Sequence, residues 1–313
     1  MDNIKSQDTT LPYHTPALLG EAIEALDIKP DGVYADATFG GGGHSRAIME
    51  RLSLKGRLFG FDQDADAIEN AFDDSRFTFV RSNFRYMPNF IRYYGYDSLD
   101  GILADLGVSF HHFDSTGRGF TFRDPDAPLD MRMNQAARAT AADILNGASE
   151  KEITEILRLG SDLRNPTRIA KALRKAADTS PITTSGQLMA ALEGLLNPKN
   201  EKKDLAQIYQ ALRIAVNHEM DVLKEFLNNC QHLLKPGGRL AVITYHSLED
   251  RLVKNLMKTG NPEGEVEQDF FGNISSPWKL ITRQPVTPTP EEVMNNPRAR
   301  SAKLRVAEKS ISK

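Results

Sequence analysis

Residues 33–44 read VYADATFGGGGH: alternating apolar residues lead into Asp36, and Thr38 and Phe39 precede four consecutive glycines, Gly40 to Gly43. A short apolar run bounded by turn residues reads as a buried strand, and glycines directly after it make a strand-to-helix loop of the nucleotide-binding kind. Such a loop needs backbone angles closed to other residues, and a side chain would hold a ligand away from the main chain. Residues 45–52 continue at helical spacing, so the free N–H groups at the helix start would face the same pocket. Four glycines alone also describe a mobile loop. What separates the two readings is Gly56 to Asp62, a second strand ending in an acid twenty residues beyond Gly42, the separation at which a carboxylate grips a ribose diol. Together the two segments imply an adenosine-type cofactor.

The flanking chain extends this pattern. Thr15 to Leu26 carries one apolar helical face, Leu58 to Asp62 is strand two, and Asp66 to Phe72 reads as a crossover helix. Phe77 to Val80 alternates as strand three, Met87 to Tyr94 reads as a helix, and Asp100 to Gly107 is a fourth apolar strand with Asp105 near its end. Strand alternating with helix implies a parallel sheet with right-handed crossovers, and ligands then lie at the carboxyl ends of the strands. From Phe110 the alternation stops. An aperiodic stretch to Arg132 is followed by helical segments to Leu195, with a capping box at Ser149 and Glu152 and a second start at Thr184 or Ser185. The sheet pattern then resumes: Leu205 to Leu234 reads as one long amphipathic helix, Lys235-Pro236-Gly237-Gly238 as its stop, and Arg239 to Tyr245 as strand five. Trp278 to Val286 and Lys303 to Ala307 close the chain as two strands. The expected architecture is an α/β, Rossmann-like seven-stranded sheet in two parts, 1–109 and 205–313, with an inserted mainly helical subdomain, 110–204. Seven strands suit a methyltransferase better than a dehydrogenase.

Composition limits the partners. The 42 acids and 39 bases leave a net charge of −3, which is not a generic nucleic-acid coat, so any RNA contact must come from local clusters. Two are evident: Arg298, Arg300, Lys303, Arg305, Lys309 and Lys313 against the single acid Glu308, and the run Arg164, Arg168, Lys171, Arg174 and Lys175. Either could equally be a solvated face. No run reaches the ~18 apolar residues of a membrane span, and Met1 to Thr10 lacks a signal-peptide core, so a cytoplasmic location is expected. The single cysteine, Cys230, excludes an internal disulfide and sits in an apolar helical pattern, as a buried, inert residue would. His111 and His112 with Asp114 do not make a metal site, because adjacent side chains diverge and no fourth ligand is evident.

The segments DATFGGGGHS, FDQD, ILADLGVS, RGFTF with PLDMRM, QALRIAVN, LKPGGRLAVITYHSLED and NPRARSAKLRVAE resemble, in order and spacing, the small-subunit ribosomal RNA (cytosine-N4)-methyltransferases of the MraW type. The likeness runs from His14 to Glu308. It implies a class I S-adenosylmethionine-dependent methyltransferase that methylates the exocyclic amine of a cytidine in the decoding (P-site) region of 16S rRNA, within the small ribosomal subunit. It further implies that the inserted subdomain recognises substrate. Carried over by position, the donor contacts fall on Gly42, Gly43, His44, Asp62, Phe84, Asp105 and His112. Two departures stand out: the family's usual glutamine is His112 here, and its His-Pro-Ala-Thr-Arg ahead of the long helix is Lys203-Asp204-Leu205-Ala206-Gln207.

That reaction sets its own chemical demands. The lone pair of cytosine N4 is delocalised into the ring, so the amine must pyramidalise toward the methyl while a group beside the donor accepts its hydrogen bond and then its proton. Asp105, Asp130 and His246, in the Tyr245-His246-Ser247 turn, are the candidates, although Asp130 with Arg132 reads as well as a structural ion pair. A base in folded RNA must be unstacked to be reached, which would use Phe110, Phe113, Phe120 or Phe122. Two rivals stay open on the residues alone: a nicotinamide-dependent dehydrogenase using the same loop, and a non-catalytic ribosome-assembly factor. Oligomeric state is not legible.

Overall fold

The computed structural model describes residues 16–107, 116–266, 268 and 276–311. Seven strands, β1 (Val33–Asp36), β2 (Arg57–Asp62), β3 (Phe77–Arg81), β4 (Leu99–Asp105), β5 (Leu234–Thr244), β6 (Trp278–Leu280) and β7 (Lys303–Lys309), form one sheet in the order β3-β2-β1-β4-β5-β7-β6. Ala35 registers with Phe59 on one side and Ile102 on the other, in parallel, and Ile102 with Leu240. β7 runs antiparallel between β5 and β6. The central strands are nearly continuous apolar runs because a parallel sheet is covered on both faces. A dinucleotide dehydrogenase sheet runs 3-2-1-4-5-6 without a reversed seventh strand, so the inserted β7 favours the methyltransferase expectation.

The chain groups into two compact units. The first holds Met1–Leu106, Asn229–His246 and Val253–Lys313, and the second Gly107–Asn228 with Ser247–Leu252. In the first, α1 (Leu19–Leu26) lays Ala22, Ile23 and Leu26 into a core with Tyr34, Ile48, Leu58, Leu103, Ile243 and Val306. α2 (Gly43–Met49) and α3 (Met87–Tyr93) follow β1 and β3.

The second unit is mainly helical: α4 (Ala141–Gly147), α5 (Glu150–Gly160), α6 (Pro166–Thr179), α7 (Ser185–Ala191) and α8 (Glu201–Asn217). Capping boxes open three of them: at Ser149 as expected, at Thr184, where only a helix start at Thr184 or Ser185 was expected, and at Thr140, where Asp143 takes the place usually held by Glu. The core gathers Leu145, Ile153, Leu157, Leu173, Leu188, Ile208 and Leu212. α5 and α8 approach so closely at Gly160 that a Cβ there would lie 2.6 Å from Ala211 Cα. That packing places residues 205–228 with the helical unit, whereas the sequence reading ends the insertion at 204.

Three further expectations are corrected. Ala65–Asn70 is a 3₁₀ helix capped by Asp64, since six residues with a short apolar content support a tight turn and not a full α-helix. The long helix expected from Leu205 to Leu234 is broken: His218 adopts φ 51, ψ 36, ending α8 and starting α9 (Glu219–Leu233). The strand expected over Trp278 to Val286 stops at Leu280, leaving a single bridge from Val286 to Leu304. α10 (Ser247–Thr259) and α11 (Pro290–Asn295) complete the described elements.

Candidate active site

The glycine loop is shaped by its own neighbours. Gly40 and Gly42 take φ 49 and 74, left-handed values that glycine tolerates, and Gly42 caps α2. A Cβ on Gly43 would fall 2.3 Å from Pro16 Cγ, so any larger residue displaces that wall. The loop is clasped at three points, by Asn70, Arg46 and Asp62. Asn70 Nδ2 donates to the Gly40 carbonyl (3.1 Å), Arg46 Nη1 to the Gly41 carbonyl (2.9 Å) and Arg46 Nη2 to the Asn70 carbonyl (3.2 Å). Asp62, at the end of β2, accepts the Gly40 N–H at 2.9 Å with one oxygen and the Asp64 N–H at 2.8 Å with the other.

Below the loop lies Asp36, 1% exposed, whose carboxylate accepts the Ser45 hydroxyl at 2.7 Å and the Thr38 N–H at 3.1 Å. Burial is the larger influence and the Asp62 charge adds to it, so its pKa is pushed up to about 6. Sequence reading gave Asp36 no role. The signal was there: an acid ending a strand whose other positions are all apolar.

Asp105 ends β4 beside this loop. Its N–H donates to Thr38 Oγ1 (2.7 Å), Tyr245 Oη donates to its Oδ1 (2.8 Å), and its Oδ2 lies 3.8 Å from His44 Nδ1. Three strand ends and the first turn of α2 therefore meet at one carboxylate. His44 is 5% exposed in that turn. Phe84 is half-buried at the start of a 3₁₀ turn after β3, next to Asn83, which donates to Gln63 at 3.0 Å. The first unit thus brings together Gly42, Gly43, His44, Asp62 and Asp105, and it adds Thr38, Tyr245 and Asp36. The Thr38 and Tyr245 contacts bridge 67 and 140 residues, which no local pattern reveals.

Asp130, Phe120 and Phe122 belong to the second unit. Asp130 forms a forked pair with Arg132 (2.7 Å), and although burial opposes it, that guanidinium with the Arg132 N–H holds the carboxyl below its ordinary range. A carboxylate so held is a weak proton acceptor. Phe120 is 4% exposed with the Arg118 guanidinium over its ring, and Phe122 packs edge-on against Tyr209, so neither is presented for base stacking. His246 is half-buried in the turn after β5. His112, with Phe110, His111, Phe113 and Asp114, lies outside the described residues. Cys230 is fully buried and its thiol is raised well above the ordinary value by that burial. Among the described residues no helix is long and apolar enough to cross a membrane.

Residues 12–310 match the MraW methylase family. The chain belongs to that family. It is 57% identical over 298 residues to ribosomal RNA small subunit methyltransferase H of Parabacteroides distasonis, covering 95% of this chain and 97% of that protein. The same-named proteins of Phocaeicola vulgatus and Bacteroides fragilis are 55% and 54% identical, over 297 and 306 residues, spanning 95% and 98% of this chain and 97% and 100% of theirs. This MraW methylase is therefore an S-adenosylmethionine-dependent methyltransferase on a class I Rossmann-like sheet, and the dehydrogenase and non-catalytic alternatives fall away. The residues present suit that donor. The backbone of a side-chain-free loop suits its amino-acid end, two carboxylates suit hydroxyl and ammonium groups, and a half-buried phenyl ring suits an adenine face.

Proposed function

We propose that this methylase transfers a methyl group to N4 of a cytidine in the decoding region of 16S rRNA, acting on the small ribosomal subunit in the cytoplasm. The observation that carries the reading is the anchored carboxylate of Asp105, at the strand ends and against the glycine loop. Bound S-adenosylmethionine supplies an electrophilic methyl on a sulfonium. The loop at Gly42 and Gly43 with His44 would hold its amino-acid end, Asp62 its ribose hydroxyls, and Phe84 its adenine.

Asp105 has the second task. Tyr245 and Thr38 fix its position, so its oxygens present acceptors in a set direction and need no rearrangement as charge develops. An N4–H bonded to this carboxylate leaves electron density on nitrogen as the amine pyramidalises, and the proton then has an acceptor within reach. Holding amine and methyl in line supplies much of the remaining rate.

The test is methyl transfer to small subunits from the labelled donor, with nucleoside mass spectrometry of the recovered RNA. A single N4-methylcytidine is the expected product. The Asp105→Asn variant should lose roughly 10²–10⁴-fold in kcat, the span of a general base. Transfer to another atom, or an Asp105→Asn variant with unchanged turnover, would overturn the assignment.

A further inference from the structure

The backbone that leaves β1 is tied to the strands on either side of it. The Ala37 N–H donates to the Leu103 carbonyl of β4 and the Phe39 N–H to the Phe61 carbonyl of β2, both at 2.8 Å. Thr38, between them, turns its N–H back to Asp36 Oδ1 at 3.1 Å. Its hydroxyl oxygen accepts the Asp105 N–H at 2.7 Å, where β4 ends. The other carboxylate oxygen of Asp36 accepts the Ser45 hydroxyl at 2.7 Å, one residue beyond His44 in the first turn of α2. A single carboxylate thus reaches, through one residue on each side, the proton acceptor of the proposed reaction and the helix start that faces the donor's amino-acid end.

Stability does not account for an acid here. Asp36 and Ser45 are 1% and 0% exposed. Burial pushes the Asp36 pKa up to about 6, so at neutral pH, where the group is ionised, it weakens the fold. An apolar side chain, such as the strand carries at Tyr34 and Ala35, would remove that penalty. It would also leave the Thr38 N–H and the Ser45 hydroxyl without their acceptor, and with them the tether on each half of the site.

We propose that Asp36 is a positioning residue for methyl transfer, one that sets the Asp105 end of β4 through Thr38 and the donor-facing turn of α2 through Ser45. The inference rests on the reading of Asp105 as the proton acceptor. Its test is steady-state methyl transfer to small subunits from the labelled donor, with donor affinity by calorimetry and the melting temperature of each variant read in parallel. Thr38→Val removes the acceptor of the Asp105 N–H and keeps the branch at Cβ; it should lower kcat about tenfold and leave donor affinity within about twofold. Ser45→Ala should do the reverse, weakening donor affinity about fivefold while kcat at saturating donor holds. Asp36→Ala should do both, and Asp36→Leu, of similar shape and without acceptors, serves in its place should the alanine variant not fold. In the Thr38→Val background the Asp36 substitution should lower kcat no further, because the two residues act in series. Asp36→Asn should restore most of both losses: its oxygen can accept the Thr38 N–H, and its amide can donate to the Ser45 hydroxyl, which accepts as readily as it donates. Losses in kcat that multiply in the double variant, or Asp36 variants that shift the melting temperature while kcat and donor affinity stay at wild-type values, would overturn the proposal. Unchanged turnover in Asp105→Asn would refute the acceptor reading and this proposal together, whereas a slowed Asp105→Asn beside multiplying losses at Asp36 and Thr38 would refute this proposal alone.

Discussion

Asp36 behaves unlike an ordinary aspartate. A folded-state pKa of about 6, against 3.8 as the ordinary value, means that the folded chain binds the proton more tightly than the unfolded chain does. Between those two values the stability contributed by this group is lost as pH rises, and above about 6 the loss is complete. An Asp36→Asn variant escapes this. Its melting temperature relative to wild type should climb between pH 4 and pH 7, by the equivalent of roughly 2 to 3 kcal/mol. A difference that is flat across that range would show that Ser45 and Thr38 stabilise the ionised form fully. Gly43 gives a second test at this scale. Gly43→Ala drives a methyl into Pro16, and overpacking of this kind costs about 1 to 3 kcal/mol. Calorimetry should show both a lower melting temperature and weaker donor binding.

At the scale of elements, α4 and α8 end in different ways. Arg174 of α6 donates to the carbonyls of Leu145, Asn146 and Ala148, satisfying the end of α4 (3.2, 3.1 and 2.7 Å). Arg174→Ala leaves those acceptors to water and should destabilise the helical unit by about 1 to 3 kcal/mol in urea unfolding. α8 ends on exposed His218 in the left-handed region. There a side chain costs about 1 kcal/mol and glycine costs little, so His218→Gly should raise the denaturation midpoint. This element also shows why part of the fold was not legible. Nothing in Asn217-His218 announces a break, because the amphipathic spacing of Leu205 to Leu234 runs through it and the usual glycine is absent. β1, β2 and β4 were legible to within two residues, since an apolar run ending in an acid admits few other readings. Asp62 and the glycine loop were legible for the same reason. Tyr245 and Thr38 meet Asp105 only through pairing across the sheet, which sequence spacing does not encode.

Over the whole molecule, two separate cores divide the labour of folding. The sheet unit is built on Tyr34, Leu58, Leu103 and Ile243, and the helical unit on Leu157, Leu173 and Leu212. Leu157→Ala, at a fully buried position, should cost about 2 to 5 kcal/mol. Hydrogen exchange followed by mass spectrometry should show the loss in α5 and α8 ahead of β1, β2 and β4. Equal loss of protection in both groups would mean that the cores unfold as one.

Asp62 deserves care in any alanine scan, because both its oxygens already grip the main chain, one at Gly40 and one at Asp64. Truncating it removes a buttress along with any contact to a sugar. The measured deficit would therefore merge a missing ligand contact with a collapsed hinge, and even Asp62→Asn, which keeps one acceptor oxygen, would set an amide donor against the other main-chain N–H and loosen the hinge on that side.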